Sequence, residues 1–177
     1  MKTINASIFE EALHFAIDAH KGQLRKNGLP YICHPLAVMM FIRLFKDSKN
    51  ALFLGVCSLL HDTVEDCGVT LDTIREKYGE AVATVVQELT TDDQEMRKIG
   101  KPLYLAQKMT KMSTYALALK LCDRYHNILE LPGTSEHFQK RYTEETRFIL
   151  EYVTANRKLT ATHARIIQAI NKTLGYK

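Results

Sequence analysis

The sequence predicts an all-α fold, and three observations lead to this prediction. Apolar residues recur at helical spacing along most of the chain, turn and capping signals separate these segments, and no two convincing strands exist that could pair. The chain has 177 residues, of which 46% are hydrophobic and 25% are charged. This is enough to bury a sizeable core, so we expect a single helical domain over residues 1–177.

The amino-terminal segment predicts two helices joined by a polar loop. Ser7 and Glu10 have the spacing of a capping box, which would begin a helix that ends near His20. The loop that follows contains an Asn-Gly turn signal. Pro35 suits the first position of the next helix. This placement would leave His34 at the cap, just outside helical geometry.

The most apolar segment, "ALFLGVCSLL" at 51–60, predicts a third helix. We expect this helix to continue through the charged residues 61–66 and to end before Gly68, because glycine commonly follows a helix end. A short fourth helix is expected next, with Thr70 as its cap and Gly79 as its terminator.

The remainder of the chain predicts five further helices and one polar connection at 90–101. The first of these helices is rich in valine, which would also suit a strand. Pro132 and Gly133 interrupt the pattern before the last two helices. The expected helices lie at about 80–89, 102–112, 113–131, 136–154 and 160–173.

Composition and charge narrow the functional classes. A net charge of +4 allows an anionic small-molecule partner and does not indicate nucleic-acid binding. The apolar runs are far shorter than the roughly 20 residues of a membrane-spanning helix, and the first segment carries acids, unlike a signal peptide. Four cysteines without CxxC spacing indicate reduced thiols in a cytoplasmic protein. No feature indicates an oligomeric state.

The stretch "LLHDTVED" at 59–66 places a histidine and three carboxylates at the end of the apolar segment. On a helix, His61 and Glu65 share one face, and Asp62 and Asp66 share the adjacent face. Three carboxylates this close repel one another beside a core unless a cation neutralises them. Spacing alone leaves two interpretations open, which are a divalent metal site and a solvated helix end.

Two further segments offer metal-ligand side chains. His34 lies at the expected junction of loop and helix, and Asp123 lies within an apolar stretch. They complete a set of two histidines and two carboxylates: His34, His61, Asp62 and Asp123. Such a set suits Mn²⁺, Fe²⁺, Mg²⁺ or Zn²⁺, and the ligand types do not choose among them. A thiolate zinc site that uses Cys33 or Cys122 is an alternative.

A basic pair, Arg25 and Lys26, lies in the loop before His34. Arginine binds phosphate through its planar fork, and lysine binds phosphate as a point charge, so a pair beside a metal site suits a phosphorylated ligand. Simple solvation of the two side chains is the alternative.

Three motifs in this order resemble the hydrolase domain of the RelA/SpoT family, a group of HD-domain metal-dependent phosphohydrolases. They are "AHKGQLRKNGLPYICHPLAV", "LLHDTVED" and "KLCDRYHN", and "ELTTDD" at 88–93 also resembles a segment of that family. The similarity extends over about residues 5–131, whereas residues 132–177 match only loosely. The resemblance implies an HD-domain helical bundle in a stand-alone small alarmone hydrolase.

The resemblance also implies roles for individual residues. His34, His61, Asp62 and Asp123 would hold one Mn²⁺ ion, with other divalent metals possible. Glu65 and Asp66 would be the catalytic carboxylates. The nucleotide would contact Arg25, Lys26, Asn27 and Asn127. The implied reaction removes the 3′-diphosphate from guanosine 3′,5′-bis(diphosphate), ppGpp, or from pppGpp, to give GDP or GTP and pyrophosphate.

The sequence departs from the family pattern at positions near the expected nucleotide site. Asn27 stands where serine is frequent, Cys122 stands where alanine is usual, and Leu129 and Glu130 follow the third motif. These differences leave the metal and water chemistry intact but bear on base and ribose specificity. Two alternatives follow, which are hydrolysis of another phosphorylated nucleotide such as NADPH and a nucleotide-binding sensor without turnover.

Overall fold

The computed structural model describes residues 3–175 and confirms the all-α prediction. These residues contain eleven α-helices, one 3₁₀ turn at Leu131–Gly133, and no β-strand. No helix among them is long and apolar enough to cross a membrane. In chain order, α1 to α11 are Ala6–Ala19, Cys33–Phe45, Ala51–Leu60, Thr63–Asp66, Leu71–Tyr78, Glu80–Leu89, Asp93–Ile99, Lys101–Lys111, Thr114–Leu129, Glu136–Asn156 and Ala161–Thr173.

The described chain divides after Thr90 into two compact units. The first unit contains α1 to α6, and the second contains α7 to α11. A single domain over residues 1–177 therefore stays a prediction, and each unit is described by itself below.

The apolar helix α3 forms the centre of the first unit. Every residue from Leu54 to Leu60 is buried, and α3 packs against α1, α2 and α6. A helix that is apolar on all sides requires neighbours on all sides, which explains why this segment lacks an amphipathic pattern. Gly55 permits close packing against α1, because a Cβ atom there would lie 2.8 Å from the Phe9 ring. The carboxyl end of α3 is therefore fixed by packing.

Helix α9 has the corresponding role in the second unit. It packs against α11, while α8 packs against α10 and α7. Leu117, Leu119 and Leu121 are fully buried, and the buried face continues through Asp123 and Arg124. Residues 115–121, "YALALKL", therefore belong to a helix, as predicted for about 113–131.

The start of α1 corrects one prediction. The helix begins at Ala6, and its cap is Asn5, whose side chain accepts a hydrogen bond from the Ile8 amide at 3.0 Å. Ser7 lies within the first helical turn and is not the cap. Asn5 has extended backbone geometry, which is the conformation that an amino-terminal cap requires.

The start of α2 corrects a second prediction. Ile32 already has helical backbone angles, and the helix begins at Cys33, so His34 lies inside the first turn. Pro35 occupies the third helical position and not the first. Proline is tolerated there because the first amides of a helix have no acceptor within the helix.

The predicted continuous helix through residues 51–66 is wrong, because it breaks at His61 and Asp62. Helix α3 ends at Leu60, and the single turn α4 begins at Thr63. At the break, two side chains form hydrogen bonds with backbone carbonyl oxygens. The Thr63 hydroxyl donates to Leu60 O at 2.8 Å, and His61 Nδ1 lies 2.7 Å from Ser58 O. Gly68, at φ +68°, follows this region as predicted.

The expected polar connection at 90–101 instead contains α7. Asp92 caps this helix by accepting hydrogen bonds from the Gln94 and Glu95 amides at 2.9 and 3.0 Å. Acidic residues in its first turn and basic residues in its last turn complement the helix dipole. Helix α7 has no buried residue, so it carries no apolar pattern that predicts it. The caps predicted at Thr70 and Gly79 are confirmed.

Replacing Asn5 with alanine should lower the free energy of unfolding by about 1 kcal/mol, because the Ile8 amide loses its acceptor. Ser7→Ala is the matched control and should change it by less than about 0.5 kcal/mol, since Ser7 does not cap the helix. Urea titrations followed by circular dichroism measure both values. A larger loss in the Ser7 variant would contradict the observed cap.

Candidate metal centre

His61 lies at the end of α3 with one ring nitrogen available as a ligand. The side chain is 2% exposed, and its Nδ1 atom lies 2.7 Å from the carbonyl oxygen of Ser58. A carbonyl only accepts hydrogen bonds, so Nδ1 carries the proton and Nε2 carries the lone pair. Within residues 3–175, Nε2 is buried and makes no hydrogen bond. A buried lone pair of this kind suits a cation.

His34 and Asp62 lie close to this nitrogen. Asp62 Oδ2 is 3.2 Å from His61 Nε2 and 3.5 Å from His34 Nε2. A ring nitrogen of His34 lies within 4.8 Å of one of His61, and the ring centroids are 5.2 Å apart. Two imidazoles and a carboxylate therefore converge on one point. This donor set fits a divalent transition metal or Mg²⁺, and the structure brings together three of the four predicted ligands in the first unit.

Tyr31 connects the predicted ligand Asp62 with the predicted catalytic residue Asp66. Its hydroxyl lies 2.8 Å from Asp62 Oδ2 and 3.0 Å from Asp66 Oδ2. Burial, and then the nearby Asp62 and Asp66 carboxylates, raise the pKa of Tyr31 far above its ordinary value. The phenol therefore stays protonated and donates. Tyr31 lies within the first motif, "AHKGQLRKNGLPYICHPLAV", but no pattern in the sequence predicted its role.

A second set of contacts supports Tyr31 from the other side. The His20 ring stacks on the Tyr31 ring, with centroids 4.6 Å apart and planes 20° apart. His20 Nδ1 lies 2.8 Å from Gln23 Oε1 and 3.2 Å from Cys67 Sγ. Gln23 Nε2 donates to the Asp66 carbonyl at 3.0 Å. His20 thus supports the Tyr31 ring and is itself held by Gln23 and Cys67.

The two predicted catalytic carboxylates lie on α4. Glu65 and Asp66 are both exposed, and the Asp66 amide donates to Asp62 O at 2.8 Å. The shared contact with Tyr31 places Asp62 and Asp66 on the same side, as their spacing of four residues predicted. The Asp66 carboxylate is therefore next to the metal centre, and both carboxylates are accessible to solvent.

The basic loop forms a tight turn beside Tyr31. The Arg25 amide donates to Leu29 O at 2.8 Å, and Gly28 at φ +83° closes the turn. The Arg25 guanidinium lies 5.4 Å from the centre of the Tyr31 ring, within the range of a cation–π contact. Asn27 Oδ1 accepts from the Leu29 amide at 3.1 Å. Lys26 is exposed at the same turn.

In the second unit, the predicted ligand Asp123 lies on α9 and is 8% exposed. Lys120 Nζ lies 2.9 Å from its Oδ2, and Asn127 Nδ2 donates to its Oδ1 at 2.7 Å. The contact of Lys120 with Asp123 followed from no pattern in the sequence.

Two residues beside Asp123 are enclosed in the second unit. The Cys122 thiol is buried, and burial followed by the Asp123 carboxylate raises its pKa, which disfavours the thiolate that a zinc site needs. Arg124 is 4% exposed and donates to Thr146 Oγ1 at 2.7 Å and to Glu145 Oε1 at 3.0 Å. Arg124 thus ties α9 to α10 directly after Asp123.

The profile of the HD-domain family matches residues 12–160 of this chain. The chain belongs to the HD-domain family. The match covers both the metal centre on α2 and α3 and the Asp123 segment on α9. The resemblance stated from the three motifs is therefore confirmed.

The sequence of this HD-domain chain is similar to those of proteins named as nucleotide hydrolases. The guanosine-3′,5′-bis(diphosphate) 3′-pyrophosphohydrolase MESH1 of Mus musculus is 34% identical over 141 residues, which cover 76% of this chain and 78% of MESH1. A protein named guanosine-3′,5′-bis(diphosphate) 3′-pyrophosphohydrolase from Aquifex aeolicus is 33% identical over 151 residues, which cover 80% of this chain and 20% of that protein. The chain spans about a fifth of the length of several bacterial relatives that it matches.

A solved structure has the same fold. It is a metazoan orthologue of SpoT described as hydrolysing ppGpp, with a TM-score of 0.78 and 21% sequence identity. The similarity covers 97% of this chain and 98% of that one. This likeness confirms that the chain has an HD-domain helical fold.

Replacing Arg124 with methionine should lower the free energy of unfolding by about 3–5 kcal/mol, because Glu145, which is only 11% exposed, would lose its partner. The control is Arg147→Met, which removes an exposed ion pair with Glu151 and should lower it by less than about 1 kcal/mol. Thermal and urea unfolding measure both variants. Equal small losses would show that the buried pair does not hold α9 to α10.

Proposed function

We propose that this chain is a metal-dependent hydrolase that converts ppGpp and water into GDP and pyrophosphate, and pppGpp into GTP and pyrophosphate. The observation that carries the proposal is the convergence of two buried imidazoles and Asp62, with a second carboxylate, Asp66, tied to Asp62 through Tyr31. The names of the MESH1 relatives and the coverage of their length support the choice of substrate.

The metal is proposed to be Mn²⁺, held by His34, His61, Asp62 and Asp123. The orphaned Nε2 atom of His61 supports the fit, because a buried ring nitrogen without a hydrogen bond is costly unless a cation binds it. Asp123 is included among the proposed metal ligands because of its position in the third motif, "KLCDRYHN". A divalent cation supplies Lewis acidity, which activates water and neutralises phosphoryl charge.

Glu65 and Asp66 are proposed to position the attacking water and to accept its proton. Both are solvent-accessible carboxylates on the turn that follows the metal centre, so water can reach them. A carboxylate can accept the proton only if it is held within hydrogen-bond reach of that water. The contacts of Asp66 with Tyr31 and Gln23 provide this restraint.

Arg25, Lys26 and Asn27 are proposed to bind the nucleotide, together with Asn127. The tight turn of the basic loop carries two cations, and Arg25 lies over the ring of Tyr31, which contacts Asp62; this suits a ligand that carries two diphosphate groups. Anchoring the phosphates would hold the scissile bond in line with the water. Cytoplasmic location is part of this proposal, since the reaction consumes a soluble nucleotide.

Purified protein incubated with ppGpp and Mn²⁺ tests the proposal, with products separated by anion-exchange chromatography. We expect GDP and pyrophosphate in equal amounts, with no release in EDTA or in the His61→Ala variant. Parallel reactions with Mg²⁺, Fe²⁺ and Zn²⁺ identify the preferred metal. Intact ppGpp in every metal would contradict the proposed substrate. Hydrolysis of NADPH instead would identify another nucleotide, and binding without hydrolysis would indicate a sensor.

The double variant Glu65→Gln, Asp66→Asn should lower kcat for ppGpp by at least about 100-fold, because neither of the proposed proton acceptors remains. Mn²⁺ affinity, measured by isothermal titration calorimetry, should stay within about tenfold of wild type, since neither residue is a proposed ligand. Retained turnover would contradict the roles assigned to both carboxylates.

A further inference from the structure

One hydroxyl faces two carboxylates in the first unit. Tyr31 has a single phenolic proton, yet its oxygen lies 2.8 Å from Asp62 Oδ2 and 3.0 Å from Asp66 Oδ2. The same Oδ2 atom of Asp62 lies 3.2 Å from His61 Nε2. Tyr31 thus contacts the two groups to which the proposed function gives different tasks, metal binding for Asp62 and water activation for Asp66.

Asp62 and Asp66 contact the same hydroxyl, so their carboxylates are close enough to repel each other unless a donor lies between them. The geometry points to Tyr31 as a positioning residue that holds the catalytic carboxylate Asp66 in register with the metal ligand Asp62. The inference rests on the proposed function, and it assigns to Tyr31 no contact with substrate. Outer hydrogen bonds of this kind orient metal ligands and commonly change affinity or activity by about 10- to 100-fold.

The Tyr31 ring is itself held on several sides, which a positioning residue requires. His20 stacks on one side at 4.6 Å, and Arg25 lies 5.4 Å from the ring centre. His34 meets the ring edge-on, with centroids 5.9 Å apart. These contacts use the ring and not the hydroxyl, so Tyr31→Phe should keep them.

The test compares Tyr31→Phe with Tyr78→Phe. Tyr78 is the matched control because its buried hydroxyl makes no hydrogen bond within residues 3–175, and its ring packs edge-on against Phe15. Four quantities are measured for each variant. They are kcat and KM for ppGpp with Mn²⁺, the dissociation constant of Mn²⁺ for metal-free protein by isothermal titration calorimetry, and the melting temperature by circular dichroism.

We expect Tyr31→Phe to lower kcat by about 10- to 100-fold and to raise the Mn²⁺ dissociation constant by about tenfold. Its KM should stay within about threefold of wild type. Both variants should have the same melting temperature as the wild-type protein. Tyr78→Phe should leave kcat and Mn²⁺ affinity unchanged. The inference is overturned if Tyr31→Phe matches Tyr78→Phe in both kcat and Mn²⁺ affinity. A lower melting temperature with a parallel loss of helix would also overturn it, because Tyr31 would then act through packing.

The Mn²⁺ titration separates this inference from the proposed function. If wild-type protein fails to hydrolyse ppGpp, the substrate proposal fails, and the titration still decides whether Tyr31 restrains the metal ligand. Weaker Mn²⁺ binding in Tyr31→Phe than in Tyr78→Phe would then support the positioning role. Equal binding would overturn it.

Discussion

The hydrogen bond between His61 Nδ1 and the Ser58 carbonyl is the constraint on which the candidate site depends. It places the proton on Nδ1 and leaves Nε2 as a buried lone pair beside Asp62. The carbonyl is available only because α3 ends at Leu60, and the end of α3 is rigid because every residue from Leu54 to Leu60 is buried. The packing of the apolar residues 51–60 therefore fixes the position of the charged residues 61–66 that follow them.

Much of the fold could be predicted from the sequence, because most helices have either an apolar face or a recognisable end. The caps at Thr70 and Gly79 and the helix over "YALALKL" followed from such signals. Helix α7 could not be predicted from periodicity, since it buries no residue and is held by its Asp92 cap. Asn5 and Ser7 are both good caps, and only the backbone geometry decides between them.

The site was predictable where chemistry restricts the residue type. Spacing alone left a metal centre and a solvated helix end open, the three motifs favoured the metal centre, and the structure brings His34 and His61 to Asp62. The roles of Tyr31 and Gln23 depend on contacts between residues far apart in the chain, and both residue types are common in loops and cores. No local pattern marks such contacts, so these residues emerge only from the folded chain.

The metal centre can be located directly by growing crystals with Mn²⁺ and collecting diffraction data at the manganese absorption edge. We expect one strong anomalous peak within bonding distance of His34 Nε2, His61 Nε2 and Asp62, and its loss in crystals of His61→Ala. A peak bound elsewhere, or none at these side chains at saturating Mn²⁺, would contradict the assignment of the buried imidazoles as metal ligands.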